Sequence, residues 1–66
     1  MDIGKRIKEL RQSKNLKLSE FAKAMNISIA CASRWENGNR EPDLTTVAKL
    51  AKFFECTSDF LLGIEN

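Results

Sequence analysis

Sixty-six residues with a net charge of +2 set the scale: one small domain, 42% hydrophobic and 30% charged, a globular composition rather than a disordered one. No run of about 18 apolar residues is present, which excludes a membrane helix. The start, MDIGKRIKELR, has no apolar stretch after its charges and does not read as a secretory leader. His is absent, and Cys31 and Cys56 are too few and too far apart for a zinc site. One disulfide is conceivable on paper, but reduced core thiols are the expectation for a cytoplasmic chain.

Taken in order, the chain spells five short helices and no strand. Ile3, Ile7 and Leu10 form one apolar stripe at i, i+4 and i+7, with Asp2 in front as a cap, and the pattern stops at Ser13-Lys14-Asn15. Phe21, Ala22 and Met25 repeat helical spacing, and Asn26 suits the left-handed turn that ends it. Ser28 caps a third helix that turns Ala32 and Trp35 inward and stops at Gly38. Pro42 makes residues 37–43 a loop. Asp43 caps a fourth helix whose stripe is Val47, Leu50, Ala51 and Phe54, and Thr57 caps a last one running to Leu62 and closed by Gly63. No period-two run competes with this pattern. The expected fold is all-α, a five-helix orthogonal bundle forming one domain over residues 1–66.

The charge is unevenly spread. Up to Arg34 the chain holds eight basic and three acidic residues; beyond it, three basic and six acidic. A basic half and an acidic half fit one face for an anionic polymer and one turned away from it, although a solvated lysine-rich first helix would look the same. The second and third segments, about residues 18–37, are two short helices joined by Asn26-Ile27-Ser28, the arrangement of a helix-turn-helix whose second helix enters the major groove. A plain helical hairpin meets the same spacing.

The residues then go further than spacing does. Ile3-Gly4-Lys5-Arg6-Ile7-Lys8-Glu9-Leu10-Arg11, Phe21-Ala22 with Ile27-Ser28, Ser33-Arg34-Trp35-Glu36-Asn37-Gly38 followed by Arg40-Glu41-Pro42, and Leu50-Ala51 with Leu61-Leu62-Gly63 stand in register. In these the chain resembles the phage-repressor and Cro-like helix-turn-helix transcriptional regulators over about residues 3–63. The resemblance implies a lambda-repressor-like domain that binds operator DNA as a two-fold dimer, with no cofactor and no metal.

Carried over position by position, the resemblance implies a DNA-contacting set of Lys17, Ser28, Ile29, Ala30, Ser33, Arg34, Asn37, Asn39 and Arg40. Where the family usually opens its second helix with Thr-Gln, this chain has Lys17-Leu18, so a point charge from Lys17 replaces a fixed phosphate bond and Ser19 is a candidate cap. Ile29 and Ala30 offer only apolar contact, for which a thymine methyl is the natural target, and Cys31 beside them is expected to face partly outward. Oxidation of that thiol would obstruct entry into the groove. Arg34 is the one side chain here suited to bidentate guanine reading; its bland alternative is a phosphate or glutamate contact. By the resemblance, Asn37, Asn39 and Arg40 belong to the loop beside the sugar–phosphate backbone, where Gly38 lets backbone N–H groups approach DNA; a plain helix C-cap at Asn37-Gly38 is the other reading, and the two are compatible. Arg11 and Glu36 match a structural ion pair joining the first helix to the recognition helix.

The function expected is a sequence-specific, DNA-binding transcriptional regulator, a repressor on a pseudo-palindromic operator. The competing reading is an antitoxin-like protein-interaction module with little base readout, which the apolar Ile29-Ala30 and the missing Gln at position 18 favour. Phe53, off the fourth helix's stripe, could join Phe60 and Ile64 in a self-association patch, or simply pack on Phe60. Enzyme readings fail on inventory: no His, no phosphate-cradling glycine loop and no clustered acid pair. Any inducer site is expected outside this stretch.

Overall fold

The computed structural model describes residues 3–64. Its five helices are α1 (Ile3–Ser13), α2 (Leu18–Met25), α3 (Ile29–Asn37), α4 (Leu44–Phe53) and α5 (Ser58–Leu62). The all-α expectation holds among these residues, and no helix is long and apolar enough to cross a membrane. The expected Asp2 cap lies outside the described residues.

Local chemistry explains most of the boundaries. Ser28 Oγ accepts from the Cys31 N–H at 3.0 Å, Asp43 Oδ1 from Thr46 at 2.8 Å and Thr57 Oγ1 from Phe60 at 3.0 Å, each satisfying one of the orphan donors that open a helix. Asn26, Gly38 and Gly63 end α2, α3 and α5 in the left-handed region, at φ 59°, 77° and 76°. At α2 the cap is Glu20 rather than Ser19: Glu20 Oε1 accepts from the Lys17 backbone N–H at 2.7 Å, and the Lys17 side chain has no acceptor to return the bond. Helix α4 stops at Phe53, with Phe54 as its cap and Glu55 left-handed at φ 56°, a conformation that favours Gly or Asn and that no residue type here announces.

The Asp43 cap titrates. Hydrogen bonds from the Thr46 hydroxyl and then from its backbone N–H, with Lys49 nearby, hold this carboxyl below its ordinary value of 3.8. A carboxylate depressed in the folded state stabilises the fold above the unfolded value, and that contribution fades as pH falls through the lowered folded one. In thermal melts below about pH 4, Asp43→Asn, which caps without titrating, is therefore expected to lose less Tm than the parent chain. Parallel acid curves for the two proteins would show that the cap contributes nothing.

Ile3, Ile7, Phe21, Ala22, Ala32, Trp35, Val47, Leu50, Ala51, Phe54 and Leu61 form the buried core, with Ile7, Phe21, Leu50 and Leu61 its largest fully enclosed side chains. The Phe21 ring stacks on Phe54 at 5.7 Å between centroids, and Phe53 meets Phe54 edge-on at 5.0 Å. No ring contact joins Phe53 to Phe60 among the described residues, so the expected packing of one on the other is not made. Phe53 also tilts against Phe21 at 6.2 Å, and Phe60 lies under the Arg6 guanidinium at 4.7 Å, so both phenylalanines of the expected patch with Ile64 are half-buried in contacts of their own. Of the three, Ile64 alone stands open. Cys56 packs against the core edge, as expected, and no disulfide joins it to Cys31.

Helix α3 packs on both α1 and α2. Its contact with α1 is close enough to require glycine. A Cβ added at Gly4 would collide with the Trp35 carbonyl oxygen and lie 3.0 Å from that of Glu36. Backbone meets backbone at this point, so no side-chain rotation relieves the collision.

Candidate nucleic-acid interface

The back of α3 is tied down. Ala32 and Trp35 are buried, and Glu36 receives the Arg11 guanidinium through two bonds, Nε to Oε2 at 2.7 Å and an Nη to Oε1 at 3.1 Å. A third bond runs from Arg11 to the Leu16 carbonyl at 2.8 Å, so one side chain joins α1, the α1–α2 loop and α3. With 12% and 7% of their side-chain surface exposed, Arg11 and Glu36 form the structural pair expected of them. Arg11 is accordingly engaged inside the domain.

The front is open. Ile29 is 53% exposed, and Ala30, Arg34 and Asn37 are exposed beside it. These positions, with half-buried Ser33, cover the side of α3 opposite Ala32 and Trp35, as a period of 3.6 residues requires. No carboxylate pairs with Arg34 among the described residues, so the glutamate contact weighed for it is not made. Ser28 is exposed at the tip, its oxygen engaged in the cap while its hydroxyl hydrogen remains to donate. Lys17 is exposed at the start of α2, where the helix dipole adds to its charge. The Lys17 backbone N–H is taken by Glu20.

The loop after α3 makes the expected helix cap. The N–H groups of Gly38, Asn39 and Arg40 all turn back onto the end of α3: Gly38 to Trp35 O at 3.2 Å, Asn39 and Arg40 to Arg34 O at 3.0 and 3.3 Å. They close the helix, leaving only the exposed side chains of Asn39 and Arg40 to face outward. Gly38 is needed for its positive φ; a Cβ there would meet nothing within 4 Å. Cys31 is half-buried and lines a cavity of about 240 Å³ with Trp35, Arg40 and Pro42, so its surroundings are the loop rather than the open front alone. Among the described residues no group of His, Cys, Asp and Glu is arranged to hold a metal ion.

The chain is similar to known proteins in sequence and in fold. The helix-turn-helix family model matches residues 7–61, and the chain belongs to that family. It is 38% identical over 63 residues to the HTH-type transcriptional regulator ImmR of Bacillus subtilis, covering 96% of this chain and 50% of ImmR. It is 32% identical over 66 residues to the transcriptional activator BcrR of Enterococcus faecalis, covering 100% of this chain and 32% of BcrR. Among solved structures, the P22 c2 repressor of Salmonella phage P22, crystallised in complex with a synthetic operator, superposes with a TM-score of 0.87 at 26% identity, covering 98% of each chain. The chain thus spans half the length, or less, of these two curated relatives.

Proposed function

We infer that this domain is the DNA-binding part of a cytoplasmic transcriptional regulator, seating α3 in the major groove of an operator. The observation that carries the reading is the division of α3 into a fixed back and a bare front. Every surface helix shows one face to water; on α3 that face joins exposed Ile29, Ala30 and Asn37 to an Arg34 that no carboxylate among the described residues neutralises. The relatives are named as transcriptional regulators, and the P22 c2 repressor was crystallised on operator DNA, which supports the same reading.

In this reading Arg34 reaches guanine O6 and N7, Ile29 and Ala30 meet a thymine methyl, and Lys17, Ser28, Asn39 and Arg40 meet phosphates. Two copies related by a two-fold axis read half-sites about 34–36 Å apart, and occupancy of a pseudo-palindrome represses transcription. Selection of bound duplexes from random DNA at two salt concentrations tests this. A pseudo-palindrome enriched at both supports the reading. Unselective binding that disappears at the higher salt supports a protein-interaction role instead, with Ile29 as an apolar contact. Arg34→Ala is expected to relax one guanine position by about 1–3 kcal/mol of discrimination while leaving the melting temperature unchanged. Uniform weakening across all sequences would reduce Arg34 to a phosphate contact.

A further inference from the structure

On the front of α3, Asn37 Nδ2 donates to Ser33 Oγ at 3.2 Å. The two residues are one turn apart, and in this arrangement the amide donates and the hydroxyl accepts. A hydroxyl that accepts through Oγ keeps its own hydrogen to donate. A carboxamide that donates through Nδ2 keeps Oδ1 to accept. The pair therefore offers a donor beside an acceptor, and neither group has another side-chain partner among the described residues.

The major-groove edge of adenine presents the complement, the N7 acceptor next to the N6 donor. Guanine presents two acceptors and leaves Oδ1 unmatched; cytosine presents one donor and leaves the hydroxyl unmatched; thymine offers O4 and a methyl group. Among single base edges adenine alone satisfies both groups, as it does when a single Asn or Gln side chain reads it in bidentate fashion; a guanine O6 beside its paired cytosine N4 is the competing match, and selection of G·C in place of A·T at that position is the outcome that assigns it. We propose that Ser33 and Asn37 act together as one adenine-reading unit, Ser33 donating to N7 and Asn37 Oδ1 accepting from N6. The inference rests on α3 entering the major groove, and it gives Asn37 two roles, since it positions the Ser33 hydroxyl as well as touching the base.

The test is selection from random duplex DNA with the parent chain, Ser33→Ala, Asn37→Ala and the double variant, each first shown to melt cooperatively. The parent is expected to enrich adenine at one position of each half-site by about tenfold, the scale of one bidentate base contact. Each single variant loses that preference, and the double variant loses no more than either one. Asn37→Asp, which can only accept, takes up the Ser33 hydrogen and moves the preference at that position toward cytosine. A merely structural Asn37 would change affinity without changing which base is chosen. The unit is overturned if Asn37→Ala weakens all sequences alike with the adenine retained, or if the two single variants erase preferences at different positions. A selected operator without adenine at that position overturns the unit alone, whereas no base preference anywhere overturns the groove reading on which it stands.

Discussion

Replacing Gly4 with alanine is expected to destabilise the domain by about 3 kcal/mol or more, at the upper end of the range for overpacking a tight contact. The expected sign is informative. At an exposed position inside a helix the same change stabilises by about 1 kcal/mol, because alanine is the better helix former. At Gly4 the added methyl would run into the Trp35 carbonyl oxygen and press on that of Glu36. Relief requires α1 and α3 to move apart, which opens the packing of Ile3, Ile7 and Trp35 together. For a domain of this size each kcal/mol shifts Tm by about 4–8 °C, so a fall of more than about 10 °C is expected by calorimetry or circular dichroism. An unchanged or raised Tm would mean that the two helices are not in backbone contact.

Removing one partner of the Arg11–Glu36 pair is the second large effect. Glu36→Ala leaves a guanidinium with 12% of its side-chain surface in water and without its carboxylate. Breaking a buried pair in this way costs about 3–5 kcal/mol, and the remaining exposure places the expectation near the lower figure. The double replacement Arg11→Met with Glu36→Leu is expected to restore most of that stability, because neither charge then needs desolvation. Denaturant midpoints of the three proteins decide the matter: a double variant no better than Glu36→Ala would mean that packing, not the stranded charge, governs the loss. Under the proposed function, DNA affinity is expected to remain reduced in the double variant, since the link from α1 through Leu16 to α3 is gone.

Much of the fold was legible because its punctuation is local. Ser28, Asp43 and Thr57 cap their helices with their own oxygens, while Asn26, Gly38 and Gly63 adopt the left-handed turns their chemistry tolerates. Apolar stripes of period 3.6 placed Ile7, Ala32, Trp35 and Leu50 in the core for the same reason. Other features lacked a local signal. Glu55 is left-handed without being Gly or Asn, held by the Cys56 N–H closing onto Ala51 O at 2.9 Å. Glu20 caps α2 by reaching back three residues, a signal visible only as the second half of a capping box whose first half is lysine. Phe53 lies off its helix's stripe yet joins the rings of Phe21 and Phe54, because the third member of that cluster comes from another helix. Gly4 appeared only as one letter in a resemblance; its requirement comes from Trp35 and Glu36, far along the chain.

The candidate site divides along the same line. Arg11, Glu36 and the outward set on α3 follow from helical geometry together with the family pattern. What the loop N–H groups do after Asn37 depends on where the carbonyls at the end of α3 point, and spacing cannot supply that.

The scaffold thus separates durability from choice. Everything that keeps α3 upright, the Gly4 contact, Trp35 and the Arg11–Glu36 clasp, sits behind it, and nothing that faces outward between Ile29 and Asn37 carries the fold. Under the proposed function, rewriting the front letters is a change of vocabulary rather than of architecture: exchanges at Ile29, Ala30, Arg34 and Asn37 would alter which duplex is chosen while the contacts that hold α3 stay in place.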